Sequence, residues 1–510
     1  MADAVLSAPD IESEVEAATP ERRRFLTTLA GFIAGATVFP AGKASAQRIM
    51  RPPRFPTKGP LVPVPKVASS TAQKLVNRIT YGVTAEEMAR VTSLGFLRYL
   101  DYQLDVARID DKVVDDYVST TWPLLAMDGN GLYQQSVEIV TRQLSEATLY
   151  RAAYSRKQLL ERMVEFWTDH FTIYIPKVGY LKLLDDRDVV RKYALGKFPE
   201  LLWASAHSPA MLLYLDQPQS RGNSPNQNYA REIMELHSLG VDGGYTQDDV
   251  AQLSRIFTGW TVQGRGAFNF DATGHDFTAK TFLGKTYPAQ LPSVGAAAVA
   301  EGEDAVRTLA NHPNTAKYIA TKLTRYILRY DAPDTVLEAV TNAYLNTGGD
   351  IPSMLRIILS PANVAAASAK YKRPFHYVVS TMRATRTSSR AVTYPAGRAL
   401  TLVGQPLFLH EQPDGYPDSA AYWAGNVLPR WNFASYISVG TTDLVVDVTP
   451  FMQGTAAGVV DAISTHFFGS EMPDTLRTAL TAYVGTQAQS TTRVREACAL
   501  AMSANEFMWF

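Results

Sequence analysis

The chain has 510 residues and a formal net charge of 0, with 49 basic residues against 49 acidic ones. That balance provides no global field to attract a phosphate backbone, so nucleic acid is excluded as an expected partner. One cysteine, Cys498, rules out a disulfide within the chain and any cysteine-rich zinc or iron–sulfur centre, while 46% hydrophobic residues supply ample core.

The first 46 residues read as a twin-arginine export signal. Arg22-Arg23-Arg24-Phe25-Leu26 precedes the apolar run Leu29 to Val38, and Ala44-Ser45-Ala46 follows as a small-residue cleavage site. The run is too short and too rich in Ala and Gly for a stable membrane anchor. The expected partner is the twin-arginine translocation machinery, and the expected location is the periplasm or the extracellular space. Residues 47–70 are rich in Pro and basic residues, which favours an extended linker. Residues 71–510 read as one large helical domain, with a sub-domain split considered near 290.

Within that domain, Ala72, Leu75, Val76 and Ile79 predict a helix, and Thr84 caps another with Glu87 three residues on. Phe96 to Leu104, Gln134 to Leu149 and Arg156 to Phe171 follow as helices. The last of these places Glu161, Glu165, Thr168 and Asp169 on one arc, and Met163, Phe166, Trp167, His170 and Phe171 on the opposite one. His170 is then either a satisfied core histidine or a ligand shared with a second helix. Leu183 to Leu195 and Phe198 to His207 are helical, and Met211 to Asp216 is ambiguous between helix and strand.

The stretch Asn226 to Trp260 carries the densest polar patterning. It predicts a helix ending near Gly240, a glycine-rich turn through Gly244, and a second helix capped by Thr246 and Asp249. Asn228, Arg231, Glu232 and Glu235 share one face, with His237 beyond the apolar arc. Such a face is either a solvated, salt-bridged surface or a buried network lining a cleft. Gly264 to Pro288 predicts a small β-hairpin or a long loop, and holds His275, Asp276 and Lys280. Gly295 to Glu303 reads as a soft linker, and residues 386–400 as a polar loop. Helices are predicted at Asp304 to Asn311, Thr315 to Tyr330, Pro333 to Asn346, Pro352 to Ser360 and from Pro374 to about Thr385. Ala420 to Trp423, Asn432 to Val439, Ala457 to Phe467, Met472 to Val484 and Thr491 to Ser503 complete an all-α fold. Its expected architecture is orthogonally packed helices with long loops and at most a small β-hairpin.

Taken together, these segments resemble the bacterial family catalogued as domain of unknown function 1800. The resemblance rests on Glu165 to Phe171, Asn226 to Gly244, Phe257-Thr258-Gly259-Trp260, His275-Asp276 with Lys280 and Gly284, and His312-Pro313 with Thr315-Ala316. It extends to Gly404-Gln405-Pro406 and Pro413 to Pro417. It covers nearly the whole of residues 71–510 and implies export and a mostly helical fold, but no activity. Thr168 stands where a histidine is common in the family, and Gln227 where a glutamate is common.

No HExxH, Gly-x-Ser-x-Gly, P-loop, dinucleotide fingerprint or haem-attachment motif is present. Two functional readings remain. One is an exported enzyme with a carboxylate and histidine site that holds a divalent transition metal. Glu165, Arg231, Glu232, Glu235, Asp276 and Lys280 would be catalytic, and His170, His237 and His275 the metal ligands. Asn228, Gly240, Gly244 and Trp260 would support that site. The other is a non-catalytic periplasmic or cell-surface protein that binds an exported protein or a glycan through its aromatic-rich loops.

Overall fold

The computed structural model describes residues 69–291, 295–385, 393–439 and 447–510. The expected export signal of residues 1–46 and most of the expected Pro-rich linker lie outside the described residues. The architecture is mainly helical, with two small hairpins. The helices used below are α1 Thr71–Ile79, α2 Ala85–Leu94, α3 Phe96–Leu104, α4 Val137–Tyr154, α5 Gln158–His170, α6 Phe198–Ala206, α7 Gln227–Glu235 and α8 Gln247–Ile256. After the hairpins come α9 Gly295–Ala310, α10 Pro313–Ile327, α11 Pro374–Ala384, α12 Thr393–Leu402, α13 Val427–Val439 and α14 Thr491–Ser503.

Local chemistry sets many of the helix starts. Thr84 accepts from the Glu87 amide at 3.2 Å, and Thr246 and Asp249 close a reciprocal capping box. Helix α7 stops at Glu235, more than a turn before Gly240. There the Leu239 and Gly240 amides both turn back to the Met234 carbonyl, and the Ser238 hydroxyl takes that of Ile233. Gly240, at φ +84°, is needed one step later: a Cβ there would stand 2.8 Å from the Tyr318 ring.

Two antiparallel hairpins follow α8, β1 Trp260–Gln263 with β2 Ala267–Phe270 and β3 Lys280–Phe282 with β4 Lys285–Tyr287. The ambiguous segment before α7 is helical over Pro209–Tyr214. Two expected loops are helices instead. The segment from Gly295 is α9, because its alanines have the highest helix propensity and Ala298, Ala305, Val306 and Leu309 are buried. The segment from Thr393 is α12, whose Ala396 and Leu400 are sealed into the core. Its other residues hide that periodicity in the sequence.

The buried apolar side chains gather into two main cores, alongside two small clusters. One core runs from Leu75 to Ala367 and takes in Phe282, Tyr287 and Ala305 on both sides of 290. The other gathers Tyr371 to Trp509 and borrows Tyr81 and the end of α4, Leu149 to Ala153. Residues 370–372 pair with the last residues of the chain, through Lys370 N–H to Phe510 at 2.8 Å and Phe510 N–H to Lys370 at 2.9 Å. Among the described residues no helix is long and apolar enough to cross a membrane.

The contact of α9 with the first hairpin gives a test in which two effects oppose. Gly302 faces the buried Trp260 indole, and a Cβ would lie 2.3 Å from that ring. Helix propensity alone favours alanine by about 1 kcal/mol. Overpacking against a fixed ring costs about 1–3 kcal/mol. Gly302→Ala is therefore expected to lower the midpoint of urea unfolding, and a raised midpoint would show that Trp260 yields.

Candidate functional site

The arc predicted on α5 faces the seam between the two cores. The opposite arc anchors it: Trp167 is fully buried and its indole N–H donates to the Ala194 carbonyl at 3.0 Å. With that roll fixed, Glu165 points at groups from three distant segments. It accepts from the Tyr326 hydroxyl at 2.7 Å, from the Tyr81 hydroxyl at 2.9 Å and from Arg373, while Arg162 lies at 3.5 Å. Arg373 stands just before the first turn of α11 and forks, reaching Glu165 with one amino group and Asp169 with the other at 2.5 Å. Arg162 is itself stacked between Tyr81 and Tyr326 and donates to His376 Nδ1 at 3.0 Å.

The two carboxyls are pushed apart. Burial drives Glu165 up, but Arg373, Arg162 and the Tyr326 hydroxyl outweigh it and hold the group below the usual glutamate range. Burial also drives Asp169 up, and here Arg373 does not compensate, because the Glu165 charge adds to the push; Asp169 sits above its ordinary value. Asp169 keeps 21% of its side-chain surface open and lines a small cavity.

That cavity holds about 40 Å³. Its wall is mostly apolar, with Val164, Phe375 and Phe408, and its polar groups include Thr168, Asp169 and Gln405. The loop from Gly404 to Asp418 closes it. Gly415, at φ +76°, lies so near α5 that a Cβ would stand 2.2 Å from the Asp169 carbonyl oxygen. Only glycine allows that approach. At the far end of the loop Asp418 pairs with buried Lys370 at 2.9 Å.

Of the residues expected to be catalytic or to bind a metal, only Glu165 is in this constellation, together with Thr168 and Asp169 of its arc. The polar face of α7 is a solvated surface: Asn228 is exposed, and half-exposed Arg231 meets Glu235 at 3.4 Å and Gln247 at 3.0 Å. Glu232 has no hydrogen-bond partner among the described residues, and burial, with the charges of Glu235 and Asp414, raises it to about 7. His170 is a satisfied core histidine, with Nε2 at 3.2 Å from the His237 carbonyl and Nδ1 accepting from Lys322 at 2.9 Å. His237 packs on Phe171, and burial beside Lys322 lowers it to about 3.

The third group stands separately. His275 Nδ1 is 2.7 Å from the Thr258 carbonyl, Asp276 pairs with Arg255 at 2.7 Å, and Lys280 is buried against Glu301 at 2.9 Å. No hydrogen bond or ion pair among the described residues joins this group to α5 or α7. Trp260 is core, packed at a tilt against Phe257 and His207, and Gly244 is a turn residue at φ +78°. Among the described residues no three of His, Cys, Asp and Glu are placed to share an ion, so the donors expected for a divalent metal do not fit one. Sequence reasoning missed Arg373, Tyr326 and Gln405 as site residues; Asp169 was legible on the arc of Glu165.

Removing Arg373 leaves two buried carboxylates without their cation. Arg373→Met is expected to cost about 3–5 kcal/mol in urea unfolding at pH 7. A loss below about 1 kcal/mol would show that the fork is not the tie between the cores. Glu232 yields a pH test. The folded protein keeps its proton to about pH 7, whereas the unfolded chain releases it near about 4.3. Stability is therefore lost as pH rises through that window. Glu232→Gln should raise the melting temperature at pH 8 and change it little at pH 4; an equal shift at both would refute the assignment.

A family model described as "Protein of unknown function (DUF1800)" matches residues 74–509. No curated protein and no solved structure shows significant similarity to the chain. The match takes in both cores, the α5 arc, Arg373 and the closing loop, and on that extent the chain belongs to the DUF1800 family.

Proposed function

We propose that the protein is an exported enzyme that carries out acid–base chemistry on a neutral polar group at the seam cavity. Asp169 is the proton carrier, and Glu165 is the fixed charge that holds Arg373 and lifts Asp169. The observation that carries this reading is the pair itself: two carboxyls one helical turn apart, sharing one guanidinium beside a small apolar-walled cavity, and shifted in opposite directions. Environments that separate two carboxyl pKa values are how one site obtains an acid and a stable anion at the same pH. The export signal of Arg22 to Ala46 supports a periplasmic or extracellular location and passage through the twin-arginine machinery.

The alternative is a non-catalytic exported binding or assembly protein. It is favoured by the saturation of Glu165, whose carboxylate already has four donors, and by the exposed Tyr422 near the closing loop.

A panel of neutral glycosides, esters and amides, assayed from pH 4 to 8, separates the two. Under the enzyme reading at least one compound turns over, and Asp169→Asn slows it by about 10²–10⁴-fold with its circular dichroism unchanged. Glu165→Gln should move the pH dependence of the acid to lower pH, since the like charge is gone. Equal turnover by Asp169→Asn and the native protein would remove Asp169 from the mechanism. A panel left untouched by the folded native protein would favour the binding reading.

A further inference from the structure

The loop that closes the cavity also brings in a side chain whose chemistry is already committed. Gln405 is 2% exposed. Its backbone is held by Gly404 at φ +80° and by its own N–H to the Leu400 carbonyl at 2.8 Å. Its side-chain Oε1 accepts from the Phe375 amide at 2.8 Å. Phe375 is the second residue of α11, after Pro374, and its N–H is one of the donors a helix start leaves unpaired. A backbone N–H only donates, so the amide oxygen of Gln405 must face it, and the orientation of the side chain is settled.

The NH₂ group is therefore the free end. No acceptor among the described residues meets it, and it is not among the buried nitrogens closed off without a partner, as two nitrogens of Arg430 are. Gln405 lines the cavity together with Thr168 and Asp169. The Thr168 hydroxyl and the second carboxyl oxygen of Asp169 also have no hydrogen-bond partner among the described residues. One fixed donor thus faces the same space as two groups that can accept.

Charge narrows the class of ligand. Glu165 and Asp169 are both engaged by Arg373, and Arg162 stands behind Glu165. A cation would find each lining carboxyl already paired, Glu161 with Arg191 and the other two with Arg373, and an anion would sit against three carboxyls. Size narrows it further: the cavity takes a group of about three or four heavy atoms rather than a whole metabolite. Its apolar wall of Val164 and Phe375 suits a methyl.

We propose that the cavity binds an acetamido-type carboxamide, with the carbonyl oxygen on Gln405 Nε2, the amide N–H toward Thr168 or Asp169, and the methyl on the apolar wall. The assignment rests on the reading above only for the place of the ligand. It concerns binding, and no proton need move.

The test uses the full folded chain, ¹⁵N-labelled at glutamine side chains, with acetamide as the probe. The Gln405 NH₂ resonance is identified by its absence in Gln405→Glu. That variant keeps an oxygen on the Phe375 amide but replaces the NH₂ donor with a second carboxyl oxygen and its charge, so Gln405→Met serves as the uncharged control. Acetamide should shift the resonance saturably, while acetate and methylammonium should not. Gln405→Glu and Gln405→Met, each checked for native melting, should weaken acetamide binding by about tenfold, followed through a cavity probe such as the Phe375 amide. N-acetylglucosamine and N-acetylalanine methylamide separate an amino sugar from a peptide as the source of the group; tighter binding of either supports the proposal and names the source. An unmoved native resonance, equal binding of acetate or methylammonium, or unweakened binding by both variants would overturn it. Acetamide binding without any turnover in the substrate panel would sink the acid–base reading alone.

Discussion

The fork of Arg373 between Glu165 and Asp169 is the interaction on which the arrangement at the seam depends. It joins residues 204 and 208 positions apart in sequence. Each partner would be costly to bury alone, and together they allow two separate cores to meet across a charged layer. The layer is completed from every side: Tyr81 comes from the turn after α1, Tyr326 from α10, and Arg162 from α5 itself. A seam made only of apolar side chains would hold the cores as well, but it would leave nothing with which to recognise a ligand.

Close packing confines the chemistry to a small space. Gly415 lets the loop approach the end of α5 nearer than any other residue could, and Gln405 is locked by the Phe375 amide in the first turn of α11. The cavity is thus bounded by a helix face, a helix start and a loop that has little freedom to retreat. Its polar groups arrive already oriented, which is the condition under which a few hydrogen bonds discriminate between ligands.

The contrast between α5 and α7 shows what a polar helix face does and does not mean. Both faces carry two or more carboxylates within one or two turns. The face of α5 is covered by α10, α11 and the closing loop, so its charges had to find partners. The face of α7 is left half in water, and its pair Arg231 and Glu235 is an ordinary surface contact at 3.4 Å. The histidines follow the same logic. His170 lies in an apolar stripe and is satisfied there, His237 is buried against Phe171 just past the end of α7, and His275 belongs to a turn around Thr258.

By itself the sequence determined the helical class, most helix positions, the capping of Thr84 and Thr246, the shared arc of Glu165 and Asp169, and the family. These are local properties: periodicity states which side of a helix is apolar, and cap chemistry acts within three or four residues. Tertiary structure decided which polar face is covered, that residues after Gly295 and Thr393 are helical, and that Arg373, Tyr326 and Gln405 converge on α5. Those outcomes depend on which distant segment lies over each face. Local spacing does not encode that, because the same arc of carboxylates satisfies its hydrogen bonds equally well with water or with a buried guanidinium.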